Sequence, residues 1–188
     1  MDMKLLLAFF WLFSFHFIGL ASTAFAQSGR YFVSQNKDWT AGAHEDACWA
    51  TTKSKKSIYS LNNKLVQMKR DRPLIGASLR RNKDGNLSFY YFPGFPTNPS
   101  EDVKMYVDGQ LFYLKSNNRH NNVVPKTEQQ NRQILSALAK GIQAEIVSTS
   151  MRGTKVNDKF SLMGFTASAR ASVLSDKTNL RRGGRFCS

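Results

Sequence analysis

Carboxylates are scarce in this chain of 188 residues: 13 Asp and Glu stand against 27 Lys and Arg, for a formal net charge of +14. Such an imbalance favours anionic partners and faster encounter with them, and it speaks to association rather than to fold. Cysteine is scarcer still. The two residues, Cys48 and Cys187, exclude a disulfide-dense miniprotein and a four-cysteine zinc site. The three histidines are scattered and join no set of His and Cys large enough for a metal site, so no metal is expected, and no other cofactor either. Neither GxxxxGK(S/T) nor GxGxxG occurs, which removes the usual phosphate-cradling loops. Long apolar runs are missing beyond the N-terminus, and the mean hydropathy of −0.40 excludes a polytopic membrane protein. Aromatic residues, by contrast, are plentiful: 14 Phe, 6 Tyr and 3 Trp supply the apolar surface that a disordered chain lacks.

The one apolar run, from Leu5 to Ala21, follows Lys4 and precedes Ala24-Phe25-Ala26. Small residues flanking a large one in this position are what signal peptidase accepts, so residues 1–26 read as a signal peptide cleaved after Ala26. An uncleaved anchor is the competing reading, because the run is long for a signal peptide. Export puts both cysteines in an oxidising compartment. A Cys48–Cys187 bridge would close nearly the whole mature chain, worth about 5 kcal/mol in the chain-entropy account.

The mature chain divides into a polar N-terminal arm over 27–38, a domain over 39–176 and a basic tail over 177–188. Cys48 to Thr52, Leu65 to Met68 and Ile75 to Leu79 suit strands. Asp84-Gly85-Asn86 signals a turn, after which Leu87, Phe89 and Tyr91 alternate on one face until Pro93, Pro96 and Pro99 break the strand. Val103, Met105 and Val107 alternate up to Asp108-Gly109, and Leu111 and Tyr113 alternate after it, the pattern of a hairpin with a type I′ turn. Thr127 and Gln130 form a capping box before a helix carrying Ile134, Leu135 and Leu138, with Gly141 expected to end it left-handed. A strand over 144–149, an apolar segment over 160–165 and a small-residue helix over 166–174 complete the reading. Strands and two helices without regular alternation predict a β-rich, mostly antiparallel α+β domain.

Several constellations bear on chemistry. Gly76-Ala77-Ser78-Leu79-Arg80 resembles half a nucleophile elbow, but Arg80 replaces the second glycine. His44-Glu45-Asp46 reads as a solvated turn. Cys48-Trp49 invites comparison with thiol hydrolases, yet Glu45 and Asp46 oppose thiolate formation, and His120 stands in an Asn-rich loop. The expectation is a non-enzymatic protein, with a thiol hydrolase at Cys48 as one alternative. Charge is more informative: between Lys53 and Lys83 ten basic residues accompany one acid, Asp71. Lys53, Lys55, Lys56, Lys69, Arg70, Arg72, Arg80 and Arg81, joined by Arg181, Arg182 and Arg185 near Cys187, are the candidates for binding a polyanion. Outside the cytoplasm that class comprises anionic lipid head groups, lipopolysaccharide, acidic glycans and nucleic acid.

Ser150-Met151-Arg152-Gly153-Thr154, Asp158, and Phe160 through Leu162, Gly164, Phe165 and Ala167 form a closing motif. With it the chain resembles the invasion-associated locus B family of Gram-negative envelope proteins over roughly residues 39–174. Residues 117–122, an Asn-rich stretch, depart from that pattern. The resemblance implies an exported protein, periplasmic or secreted, virulence-associated through host-cell invasion or persistence, with an envelope or host-surface partner and no mature transmembrane segment. Physically, Gly153 permits a tight turn, Phe160, Leu162 and Phe165 can enter a core, and Arg152 is expected to brace Asp158 across the turn, the alternative being that it points outward to a partner.

Overall fold

A computed structural model describes residues 32–44, 47–80 and 87–179. The strands are β1 (Phe32–Asn36), β2 (Trp39–His44), β3 (Ala47–Lys53), β4 (Lys56–Leu61), β5 (Lys64–Leu65), β6 (Leu74–Arg80), β7 (Ser88–Phe92), β8 (Val103–Val107), β9 (Gln110–Asn117), β10 (Asn122–Val124), β11 (Gln143–Thr149) and β12 (Lys155–Ser161). Helix α1 spans Glu128–Lys140 and α2 spans Phe165–Asn179. Every strand pairing is antiparallel, in the order β1-β2-β3-β6-β7-β10-β9-β8-β11-β12-β4-β5. The mostly antiparallel sheet with two helices is the architecture the patterning predicts.

Alternation explains the register. Phe89 and Tyr91 of β7, Val103, Met105 and Val107 of β8, and Phe112 and Leu114 of β9 all point inward. Asp108 (φ 45°) and Gly109 (φ 91°) both take positive φ at the hairpin tip, as a type I′ turn requires. The Asp108 carboxylate also accepts the backbone N–H groups of Ile142 (2.8 Å) and Gln143 (3.1 Å), tying that hairpin to the start of β11.

The sheet bends back on itself. Only Ser54 and Lys55 separate β3 from β4, and the Lys55 amide donates to the Lys159 carbonyl at 2.7 Å. At the same seam the Trp39 indole N–H donates to Ser161 O at 2.9 Å, and the Asp38 amide to Met163 O at 3.2 Å. Both halves of the sheet therefore share one core, including Trp39, Ile75, Phe89, Tyr91, Met105, Leu114, Ile146 and Phe160. Each such side chain contributes about 1.5–3 kcal/mol on burial.

The helices close the remaining openings. Thr127 caps α1 by accepting the Gln130 amide at 3.1 Å. Gln130 reaches back to the Lys126 amide, one residue earlier than a capping box places it. Ile134 and Leu138 are buried. Gly141 ends the helix at φ −82°, not left-handed as expected. Its glycine serves close packing: a Cβ there would lie 2.8 Å from Val107 and 2.9 Å from Leu162. Before α2, Gly164 (φ 105°) leaves no room for a side chain, since a Cβ would stand 1.9 Å from the Asn36 carbonyl oxygen. Phe165 then meets Trp39 edge-on, with centroids 4.8 Å apart.

The structure corrects several boundaries. Strand β1 lies inside the stretch read as a loose arm, and β2, β4 and β10 were not anticipated. The segment expected over 65–68 reduces to the two-residue β5. Strand β12 starts at Lys155 because Val156, Asp158 and Phe160 all face inward; an acid at an inward position hid its apolar alternation. The Asn-rich stretch around His120 is the turn of the β9–β10 hairpin. Residues 1–26, Glu45, Asp46, the turn at 84–86, and 180–188 lie outside the described residues.

Candidate functional site

Asp158 is fully buried on β12, and its partner is not Arg152. Arg152 is exposed in the turn before β12, whereas Arg70 forms an ion pair with Asp158 in which the two side chains are 3% and 0% exposed. Ser57 Oγ and the Tyr91 hydroxyl each donate to the same carboxylate at 2.5 Å. Arg70 also donates to the Tyr59 hydroxyl at 3.2 Å and to the Pro93 carbonyl, with its guanidinium 5.1 Å from the ring centroids of Tyr59 and Phe95. Burial opposes the charge on Arg70, but the Asp158 carboxylate and the Tyr59 hydroxyl together outweigh it and hold the group above its ordinary pKa. Burial, then Asp158, pushes the Tyr91 phenol well up. Arg70 therefore leaves the polyanion-binding set: it anchors the strand-poor segment 66–73 to the β4–β12 face.

The other basic candidates separate by position. Lys53, Lys56, Lys69 and Arg72 are exposed. Lys55 is half-engaged: it pairs with Asp38 and holds that carboxyl below the usual range. Arg80 ends β6, while Arg81, Arg181, Arg182 and Arg185 lie outside the described residues. Strand register adds three lysines that sequence reading missed. On the outer face of the β8–β11–β12–β4 half, Lys56 stands directly opposite Lys159. Lys155 and Lys104 share that face, with Glu145 as the carboxylate opposite Lys159. These lysines occur singly in the sequence, and only the antiparallel pairing collects them. With Lys53 and Lys55 at the seam they form one cationic surface.

Much of the closing motif packs inward. Gly153 takes φ 80° in the turn after β11, and Phe160, Leu162 and Phe165 lie in the core. Thr154 donates its amide to Ser150 Oγ at 3.1 Å, which fixes the turn. Cys48 is fully buried beside Ala43 and Leu79; Cys187 lies outside the described residues. Among the described residues no group of three or more His, Cys, Asp or Glu is placed to hold a metal. No helix among them is long and apolar enough to cross a membrane.

What these features define is a bent antiparallel β-domain that packs two helices and carries a buried Arg70–Asp158 pair and exposed lysines on its outer faces. A solved protein shares this fold: the crystal structure of invasion associated protein B from Bartonella henselae superposes with a TM-score of 0.52 at 17% identity, covering 78% of this chain and 99% of that one. At that identity the likeness is one of fold. No protein-family model matches the chain, and no curated protein matches it either.

Proposed function

We propose that this chain is an exported, non-enzymatic envelope or secreted protein associated with host-cell invasion or persistence, and that it works by binding. The fold shared with invasion associated protein B carries this reading. The signal-peptide pattern of residues 1–26 supports export to the periplasm or beyond, and export in turn supports a Cys48–Cys187 bridge. A buried Cys48 argues for a structural rather than a nucleophilic sulfur.

The partner class follows from the charge. Lys53, Lys56, Lys104, Lys155 and Lys159 favour a polyanion, because each neutralised ligand charge releases a condensed counterion. Intact-mass analysis of the fractionated mature protein tests export and the bridge: a chain starting at Gln27 and lighter than its reduced form by two hydrogens is expected. An uncleaved cytosolic chain with two alkylatable thiols would overturn both. Heparin chromatography tests the binding mode. Retention should persist at physiological salt and fall in K56E/K155E/K159E; loss of retention below about 0.1 M salt refutes specific polyanion binding.

A further inference from the structure

The outer face of the opposite half of the sheet has a different character. Strands β1, β2, β3, β6, β7 and β10 contain no carboxylate on either face. Two aromatic side chains on it lie over glycine floors. A Cβ at Gly42 would meet three atoms of the Trp49 indole at 2.1–2.6 Å, and one at Gly76 would meet the Tyr90 phenol head at 2.6 Å. Each ring therefore occupies the space that its cross-strand partner vacates. Two strand spacings and a two-residue offset set the two ring heads about 12 Å apart, the span of a short oligosaccharide. Among the described residues, neither the Trp49 indole N–H nor the Tyr90 hydroxyl has a hydrogen-bond partner. The aromatic line continues from Tyr90 to Phe92, with centroids 5.3 Å apart. It ends in a hollow of about 340 Å³ lined by Phe92, Leu74, the exposed cation Arg72 and Asp71. Lys53 flanks the line on β3.

We infer that this face binds an acidic oligosaccharide, with sugar rings stacked on Trp49 and Tyr90 and a sugar carboxylate held by Arg72. Flat rings offer apolar surface to the C–H face of a pyranose, and unpartnered donors meet its hydroxyls. Strands without carboxylates, with Lys53 and Arg72 at their margin against Asp71, the single acid lining the hollow, favour an acidic sugar over a neutral one. The inference rests on the polyanion-binding reading but places the ligand on the half of the sheet that lacks Lys56, Lys104, Lys155 and Lys159, with Lys53 at the seam between the two.

The mature chain retains two tryptophans, Trp39 and Trp49, and Trp39 is fully buried. Ligand-induced changes in fluorescence and in iodide quenching therefore report on Trp49. Titration with oligogalacturonate should give a saturable change, absent with neutral dextran oligomers and with phosphatidylglycerol vesicles. Ser78→Glu, which places a carboxylate opposite Trp49, should weaken binding at least tenfold at unchanged melting temperature. Arg72→Gln, at an exposed position, should weaken it several-fold, and K56E/K155E/K159E less than twofold. An equal response to dextran, a response to vesicles alone, or full affinity in both S78E and R72Q overturns the assignment. A silent Trp49 with heparin retention intact refutes this site and leaves the polyanion reading standing. Loss of both ends both.

Discussion

Replacing Arg70 with Met should cost this domain about 3 kcal/mol, the lower end of the range for breaking a buried ion pair. The pair leaves no charge in water: Arg70 and Asp158 are 3% and 0% exposed. Met restores the apolar volume but leaves the carboxylate uncompensated. Ser57 and Tyr91 still donate to it, which is why the loss stays near the lower end. Two cation–π contacts go as well, each worth about 0.5–2 kcal/mol. For a domain of this size 3 kcal/mol corresponds to roughly a 6–12 °C fall in melting temperature. Urea unfolding, with the m-value compared between variants, is the assay. Adding Asp158→Asn to R70M should recover much of the loss, because a neutral amide still accepts from Tyr91 without stranding a charge. Arg152→Ala should stay within about 0.5 kcal/mol of the parent. An R70M variant within 1 kcal/mol of the parent by this assay, or R70M/D158N equal to the sum of its singles, would refute the coupling.

Further outcomes follow from other contacts. Asn131 accepts the buried Phe89 amide at 2.9 Å and donates to Leu87 O at 2.8 Å; Asn131→Ala should cost about 1–3 kcal/mol by urea unfolding, and a neutral result would show that α1 docks by apolar contact alone. Gly164→Ala must displace the Asn36 backbone, whereas Gly153→Ala meets open space and only strains φ. G153A should therefore lose about 1–2 kcal/mol and G164A clearly more, and equal melting temperatures would contradict the packing. At alkaline pH, burial lifts Tyr90 to about 12, and burial together with the Asp158 carboxylate lifts Tyr91 well above 10.0. The unfolded chain gives up these protons first, so their stabilisation is whole below pH 10 and disappears as pH rises from there. Absorbance at 295 nm should show these two phenols ionising with loss of circular dichroism, and Tyr91→Phe should raise the alkaline midpoint; all six tyrosines titrating near pH 10 with the fold intact would refute this.

Local pattern decided what local physics governs. The Asp108-Gly109 hairpin, the Thr127 cap, the inward Phe89 and Tyr91, and the β-rich antiparallel class follow from alternation, turn chemistry and capping, all short-range. Short strands of small or polar residues escaped that reading. Strand β2 buries Ala41 and Ala43, which carry little apolar signal, and β4 shows no alternation in burial. Gly141 was correctly placed at the end of α1, but for a reason of space that only Val107 and Leu162 supply.

Charge was legible as an amount and not as an arrangement. Composition alone establishes an excess of cations and its pull on anions. Whether a given cation faces solvent depends on which strand lies beside it. Arg70 looks like its neighbours Lys69 and Arg72 in the sequence, yet Asp158, 88 residues away, draws it inside. Lys104, Lys155 and Lys159 share one face with Lys56 only because β8, β11, β12 and β4 are adjacent. The glycine floors beneath Trp49 and Tyr90 are likewise cross-strand facts, since a residue's partner across a sheet is set by the fold and not by its neighbours in the chain.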